Sequence, residues 1–149
     1  MMTRKQHVDY WLQGAAESLK DMRAAIKSKR RTNAMFCGHL ALEKTLKALC
    51  AVRNAKIERD HKLLKLAKDS GYILQLSVAE QQELLTITGF NIEARYDDFK
   101  RRFHATCTPQ YADHWSKRIS YWYKEIKAIV IQERATLPNN EPDAQSLVK

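Results

Sequence analysis

The chain has 149 residues, a formal net charge of +9 at pH 7, and only four glycines and three prolines. One domain of this length buries most of its unfolded surface, and the prevalence of Ala, Leu, Lys, Arg, Glu and Gln predicts an all-α fold. No apolar run approaches the roughly 20 residues needed to span a bilayer, and the N-terminal MMTRKQHVDYW contains no apolar signal-peptide segment, so we expect a cytoplasmic protein with no membrane partner.

Two amphipathic helices are predicted in the first third of the chain. The first runs from His7 to about Lys27, where apolar residues recur at the three-four spacing of one helix face. The basic link KSKRRTN follows, and Thr32 or Asn33 is a suitable N-cap for a second helix that reaches about Arg53. Because this second helix carries apolar residues on more than one side, we expect it to lie at the centre of the fold.

A short third helix and a long fourth helix follow. Asp60 is suited to cap the third helix, and Gly71 is suited to end it. Ser77 and Glu80 form the capping-box pattern that starts the fourth helix, which is predicted to run to about Arg95. The residues between this helix and the next are expected to form a loop that faces a ligand or an interface.

The last predicted helix starts at Thr108–Pro109, because proline is tolerated in a first turn where its missing N–H donor is not needed. It carries an apolar stripe from Trp115 to Ile129. The segment after it lacks periodicity and is rich in turn formers, so residues 1–136 are predicted to form one helical domain and residues 137–149 a flexible tail. The expected architecture is an up-and-down bundle of four long helices plus one short helix.

Charge and side-chain chemistry narrow the possible functions. A net charge of +9 favours polyanionic partners such as nucleic acid, since basic surfaces attract phosphates before specific contacts form. The sequence has no glycine-rich nucleotide-binding loop and no serine nucleophile elbow, and no cofactor is predicted. The cysteines lack close Cys-x-x-Cys spacing, which argues against a disulfide framework. The spacing of His104, Cys107 and His114 fits no common zinc site, so no metal site is predicted.

Four segments of the sequence occur in a recognisable order: YWLQGAAESLK, HLALEKTLKAL, DHKLLKLAK and FNIEARY. In this order they resemble the HEPN domain family (higher eukaryotes and prokaryotes nucleotide-binding domain), of the type associated with minimal nucleotidyltransferases, over roughly residues 8–130. The resemblance implies a small helical protein that binds a nucleotide or RNA and forms a homodimer. It also implies a nucleotidyltransferase partner in a toxin-antitoxin or defence system.

The resemblance further implies a ligand site. The recurring polar positions of the family fall on Glu43, Lys44, Lys47, Arg95 and Tyr96. Lys47 and Arg95 are suited to bind phosphate, and Tyr96 is suited to stack on a base. Alternatively, Glu43 with Lys47 or Arg95 forms a buried polar network that joins the second and fourth helices.

Many members of this family are metal-independent ribonucleases whose site contains an arginine, four to six further residues, and then a histidine. This chain departs from that spacing, since eight residues separate Arg95 from His104 and two separate Arg101 from His104. In a nuclease, His104 would exchange a proton, and Arg95, Arg101 or Arg102 would stabilise the charge on the phosphate. Such a site would require a bent loop, so whether the chain is an enzyme stays open.

Three functions are therefore compared. The interpretation we favour is a nucleotide- or RNA-binding and interaction protein, because the strict catalytic motif is absent while the polar and basic surface suits RNA. The first alternative is a metal-independent endoribonuclease with a non-standard Arg/His site. The second alternative is a non-catalytic structural module for dimerisation.

Overall fold

The computed structural model describes residues 2–57, 59–94 and 96–143. Over these ranges the backbone forms α-helices and one short 3-10 helix, with no β-strand, and none of the helices there is both long enough and apolar enough to cross a membrane. The elements are α1 (Arg4–Lys27), α2 (Arg31–Val52), α3 (Leu63–Ser70), a 3-10 helix (Tyr72–Gln75), α4 (Val78–Glu93), α5 (Asp97–Thr106) and α6 (Pro109–Ala135). The predicted all-α class is confirmed.

The predicted count of four long helices plus one short helix is wrong, because α5 forms where a loop was expected. Phe103 is buried and its ring packs against Phe90 of α4, with the ring centroids 5.5 Å apart. Cys107, which follows the helix, is buried as well. Burial of these side chains stabilises a helix whose other residues are mostly charged or polar.

The beginnings of α1 and α2 differ from the prediction. Thr3 caps α1 in a capping box, in which Thr3 Oγ1 accepts from the Gln6 N–H and Gln6 Oε1 accepts from the Thr3 N–H. The helix therefore begins several residues before the predicted start. Thr32 and Asn33 do not cap α2, because the helix already begins at Arg31 and both residues lie in its first turn.

The predicted Asp60 cap of α3 is wrong, because Lys62 is the N-cap and Asp60 Oδ1 accepts from the Lys62 N–H before the helix begins. Three other predicted boundaries are confirmed. Gly71 ends α3 in the left-handed conformation, with φ at 84°. Ser77 and Glu80 form the predicted capping box of α4, and Thr108 caps α6 through its side chain. The fourth helix ends at Glu93, close to the predicted end.

Helix α2 lies at the centre of the bundle, as its apolar residues on several sides predict. It contacts α1, α3, α4, α5 and α6, and most of its side chains are buried. Gly38 is required for this packing, because a Cβ atom there would lie 2.5 Å from Ile119 Cδ1 and 2.9 Å from Met22 Sδ. The first, second and last helices therefore pack directly on one another at this level.

Bidentate ion pairs tie the outer helices to the bundle. The Arg53 guanidinium, just after α2, binds both carboxylate oxygens of Glu133 on α6 at 2.9 and 2.8 Å, and its third nitrogen donates to the backbone oxygen of Ser70. Arg118 of α6 binds both oxygens of Glu83 on α4 at 2.6 and 3.1 Å. The paired geometry fixes the relative positions of α3, α4 and α6.

The first part of the predicted tail, 137–149, lies against the start of α1. The Arg4 N–H donates to the backbone oxygen of Glu141 at 2.9 Å, and the Arg4 guanidinium lies 2.6 Å from the Glu141 carboxylate. Residues 144–149 lie outside the described residues. The domain boundary after residue 136 and the flexibility of the tail stay predictions.

Candidate functional site

A groove lined by cations lies between the α1–α2 turn and α5. Its first part, of about 410 Å³, includes Arg30 and Asn33 in its lining. The same two residues line the middle part, of about 530 Å³. The middle part shares Lys100 and His104 with the last part, of about 640 Å³. Because neighbouring parts share lining residues, they form one continuous depression, which we call the basic groove. Its positively ionisable residues are Lys29, Arg30, Arg31, Lys100, Arg101 and His104.

The backbone of the α1–α2 turn places two of these cations at the surface. Lys29 adopts the left-handed conformation, with φ at 62°. Its N–H donates to the Ile26 oxygen, and the Arg30 N–H donates to the Ala25 oxygen, which is the hydrogen-bond pattern of a Schellman turn. The turn ends α1 abruptly and leaves Lys29 and Arg30 exposed at the entrance of α2.

Helix α5 supplies the opposite wall of the basic groove. With Phe103 buried toward α4, Lys100, Arg101 and His104 fall on an exposed side of the helix, at the three- and four-residue intervals that bring side chains together. In the part of the chain that the structure describes, none of the cations of the groove takes part in an ion pair. Unpaired positive charge that converges on one depression favours phosphate groups.

The residues predicted for a nuclease site are only partly brought together. Arg101 and His104 lie one turn apart and line the same part of the basic groove. Arg102 is exposed on α5 but does not line the groove, and Arg95 lies outside the described residues. Tyr96 is exposed at the N-cap of α5. The bent loop that a nuclease site would require is not present at Arg101 and His104, because both lie on helix α5.

The polar residues predicted on the second helix form a separate, buried cluster. Glu43 and Lys47 are both buried, and Glu43 Oε2 lies 2.9 Å from Lys47 Nζ. The other carboxylate oxygen of Glu43 lies 2.7 Å from Nδ1 of His61, in the segment before α3. Lys47 Nζ also lies 5.1 Å from the centroid of the Trp11 ring. This network joins α2 to α1 and to the segment before α3, whereas the sequence suggested a link to the fourth helix.

His39 extends the same cluster into the core. It is fully buried, and its Nε2 lies 2.8 Å from the backbone oxygen of His61. Since a carbonyl oxygen only accepts, Nε2 carries the proton of the neutral ring. Nδ1 is buried and has no hydrogen-bond partner among the described residues. Burial lowers the pKa of His39 below its usual value, because the charged ring would lose its hydration.

Lys44 does not line the basic groove and contacts α1 instead. Its Nζ donates to Ser18 Oγ of α1 at 2.9 Å, and its side chain passes Gly14, where a Cβ atom would lie 3.2 Å from Lys44 Cδ. Lys44 lines a pocket of about 320 Å³ with Tyr10 and Trp11. The structure therefore does not bring Lys44 and Tyr96 into one pocket.

The cysteines are buried thiols. Burial raises the pKa of Cys50 to about 12 and that of Cys107 to about 11, because a thiolate would lose its hydration. Within the described ranges, no three His, Cys, Asp or Glu side chains cluster in a way that could hold a metal ion. The thiols therefore stay protonated near neutral pH and act as apolar core groups.

Sequence reasoning missed most of the basic groove. Lys29, Arg30 and Arg31 belong to the basic link KSKRRTN, which the sequence alone indicates only as a connection between helices, and no sequence pattern distinguishes Lys100 from other surface lysines. The available signal was a run of cations at a helix boundary. Those cations form a groove only together with α5, an element that the sequence does not predict.

A family model, described as the HEPN domain, matches residues 8–129 of the chain. The matched range contains every residue that lines the basic groove and the whole of the cluster around Glu43. No curated protein and no solved structure matches the chain significantly.

Proposed function

The chain belongs to the HEPN domain family, and from this we propose that it binds RNA in the basic groove. We further propose that it acts as a homodimer and pairs with a nucleotidyltransferase in a toxin-antitoxin or defence system. Membership of the family supports a nucleotide- or RNA-related function. The observation that supports RNA in particular is the continuity of the groove, whose first two parts share Arg30 and whose last two parts share Lys100 and His104.

A polynucleotide fits this arrangement better than a single nucleotide does. Lys29, Arg30 and Arg31 lie on one wall, and Lys100 and Arg101 lie on the other. A single nucleotide would neutralise one part of the groove and leave the rest of its charge uncompensated. An RNA strand presents a phosphate at every nucleotide, and it releases counterions at each cation that it contacts.

Tyr96 and Phe36 add apolar surface near this charge. Tyr96 is exposed at the start of α5, and Phe36 lines the middle part of the basic groove. Aromatic rings stack on bases of any sequence, so their place beside cations suits single-stranded RNA. We assign to Tyr96 and Phe36 the role of base contacts, and to the groove cations the role of phosphate contacts.

A second candidate function is cleavage of the bound RNA. The observation that favours it is the pair Arg101 and His104, one helical turn apart on the wall of one cavity. A histidine exchanges protons near neutral pH, and an adjacent guanidinium stabilises charge on a reacting phosphate. In this alternative His104 moves a proton to or from a ribose oxygen, while Arg101 holds the phosphate.

The buried cluster on α2 we assign to the stability of the fold. Both carboxylate oxygens of Glu43 already have partners within the chain, and Lys47 is held between Glu43 and the Trp11 ring. A ligand would have to break these contacts to bind there. This cluster is the part of the molecule that best fits the alternative of a non-catalytic structural module.

The experiment that tests RNA binding is a titration of a short fluorescent single-stranded RNA at several salt concentrations. We expect the affinity to fall steeply as salt rises, and the double variant Arg30→Ala with Arg101→Ala to weaken binding. The double variant should also reduce the magnitude of the slope of log K against log salt by about 0.7 for each lost phosphate contact.

Lys68→Ala provides the matched control, since Lys68 is an exposed cation on α3 away from the groove. It should leave both affinity and slope close to those of the wild type. A mononucleotide at equal phosphate concentration should compete poorly. Affinity that does not depend on salt, or equal loss in the groove and control variants, would refute the proposed function.

A further inference from the structure

A second groove lies between α1 and α6 and is separate from the basic groove. Its volume is about 540 Å³, and the described residues that line it belong to these two helices. They include Met22, Arg23, Ile26, Lys117, Tyr121 and Lys124. The two grooves share no lining residue in the described part of the chain. We call this second depression the α1–α6 groove.

The packing around α2 explains why the α1–α6 groove forms. Both α1 and α6 pack more closely on α2 than on each other, and Met22 and Ile119 both lie against Gly38 of α2. Met22 is almost fully buried, so it forms the floor of the groove. On α6 the lining extends from Asp113 to Lys124, a length of about 16 Å at a rise of about 1.5 Å per residue. A depression of this length between two helices suits a third helix.

Tyr121 is an exposed aromatic residue that is already held in place at the α1–α6 groove. It is 41% exposed, and the guanidinium of Arg118 lies over its ring, 4.6 Å from the centroid. Arg118 is itself held by two hydrogen bonds to the Glu83 carboxylate, and the Tyr121 ring packs edge-on against Trp122. An aromatic ring that is fixed in advance loses little conformational freedom when a partner covers it, and such residues often dominate the binding energy of protein interfaces.

Cations surround the apolar part of the α1–α6 groove. Arg23 and Lys124 are exposed, and neither forms an ion pair with another described residue. Lys117 is paired with Asp113 at 2.9 Å, but both side chains of this pair are largely exposed. Since an exposed pair contributes little free energy, a carboxylate from a partner can replace Asp113 at small cost. The charge of the rim therefore favours a partner that carries carboxylates.

The floor of the α1–α6 groove suits a protein better than RNA. Phosphates that crossed it would lie over Met22 and Ile26, whose side chains donate no hydrogen bond, and close to the carboxylate of Asp113. An amphipathic helix matches both features of the groove. Its apolar side chains, at three- and four-residue intervals, can reach the floor, while acidic residues on its flanks reach Arg23 and Lys124.

We infer that the α1–α6 groove binds an acidic amphipathic helix of a partner protein. Apolar side chains of that helix pack against Tyr121 and Ile26, and its carboxylates pair with Arg23 and Lys124. The inference goes beyond RNA binding and does not depend on it. Because the two grooves share no lining residue, RNA and the partner helix do not compete for the same side chains.

The test is a fluorescence anisotropy titration with a labelled synthetic peptide of about 18 residues, which is long enough to form a helix in water. Its leucines recur at three- and four-residue intervals, and glutamates occupy the flanks. We expect this acidic peptide to bind. A peptide of the same composition whose leucines are spread around the helix should bind far more weakly, and a peptide with lysine in place of glutamate should not bind.

Substitutions in the α1–α6 groove identify where the peptide binds. Arg23→Glu with Lys124→Glu should weaken binding about tenfold, because two attractions become two repulsions. Lys20→Glu with Lys68→Glu is the matched control, since it makes the same change in net charge at exposed lysines of α1 and α3 that do not line the groove. It should weaken binding less than about twofold, because salt screens distant charges. Tyr121→Ala should also lose about tenfold, while Tyr121→Phe keeps the ring and should bind as the wild type does.

Three results would overturn the inference. They are no binding of the acidic peptide, equal binding of the rearranged peptide, and a loss of affinity in the control variant as large as that in Arg23→Glu with Lys124→Glu. The substituted side chains are exposed, so the thermal midpoint of each variant should stay near that of the wild type and loss of the fold should not mimic loss of binding.

Titration of the same variants with the fluorescent RNA separates this inference from the proposed function. A loss of RNA affinity in Arg23→Glu with Lys124→Glu beyond that of the control would place RNA in the α1–α6 groove and overturn the inference. Salt-dependent RNA binding without peptide binding also overturns it and leaves the function of the basic groove standing. Selective peptide binding without RNA binding supports the inference and refutes the proposed function.

Discussion

The buried ring of His39 donates a hydrogen bond of 2.8 Å from Nε2 to the backbone oxygen of His61. This contact holds the segment before α3 onto α2 while the other ring nitrogen stays buried and unpartnered among the described residues. Glu43, Lys47 and His61 are the ionisable groups that face the ring. The ring is therefore held neutral within the folded protein, because burial outweighs the attraction of Glu43 for the charged form.

The lowered pKa of His39 predicts a loss of stability in mild acid. Below the usual value of 6.5, the unfolded chain binds a proton at this residue and the folded chain does not. The free energy of unfolding should thus be greatest above about 6.5, fall as the pH drops, and level off at the folded pKa. Urea unfolding of His39→Gln, whose amide N–H can donate to the same oxygen, should show a weaker pH dependence. Identical profiles for the two proteins would contradict this account.

The Glu43–Lys47 pair should behave as a part of the fold and not as a ligand site. Glu43→Ala leaves the ammonium of Lys47 buried without its carboxylate, and loss of one partner from a buried pair costs about 3–5 kcal/mol. The double variant Glu43→Leu with Lys47→Leu should be less destabilised than Glu43→Ala, because no buried charge remains. The measurement is chemical unfolding of each variant. RNA affinity per folded molecule should stay near the wild-type value, and a selective loss of affinity would return these residues to the ligand site.

Replacing the left-handed Lys29 with glycine should change the stability of the fold and its affinity for RNA in opposite directions. Lysine in this conformation is unfavourable by about 1 kcal/mol relative to glycine, so Lys29→Gly should raise the free energy of unfolding. It removes a cation from the basic groove at the same time, so RNA affinity should fall. Asn54 is also left-handed, at φ 59°, but asparagine tolerates this conformation and lies outside the groove. Asn54→Gly should therefore change both quantities much less.

Cleavage of a labelled structured RNA in EDTA distinguishes binding from ribonuclease activity. We expect the wild type to bind the RNA without cutting it, because the spacing of Arg101 and His104 departs from that of the catalytic members of the family. Cleavage by the wild type but not by His104→Ala would establish a metal-independent ribonuclease instead. Equal cleavage by both proteins would show that His104 has no part in the reaction.

The sequence predicted those elements whose signals are local. Three helix-boundary signals act on the backbone within a few residues: Gly71, the Ser77–Glu80 pair and Thr108. Their roles can therefore be predicted from the sequence without knowledge of the fold. The sequence does not predict helix α5, because this helix is stabilised mainly by the contact of its buried Phe103 with Phe90 on α4. A short charged segment with few apolar residues gives no strong helical period.

The candidate site was harder to predict for the same reason. Its two walls come from a turn near residue 30 and a helix near residue 100, and no sequence pattern states that these meet. Lys29 also occupies a position where glycine is usual, so the Schellman turn that exposes it had no sequence signal. By contrast, the family resemblance indicates the polar residues Glu43 and Lys47 of the second helix directly, but in the structure Glu43 pairs with Lys47 and His61.

The central place of α2 divides the backbone into parts that open on different timescales. Other helices cover the middle of α2, so the amide hydrogens there should exchange with deuterium only when the whole bundle unfolds. Among the described residues, helix α5 packs closely on α2 and α4 and exposes most of its side chains, so its amides can exchange through local fraying. Because α5 and the first turn of α2 line the groove, bound RNA should protect the amides of both, while the amides in the middle of α2 keep the rate set by global unfolding.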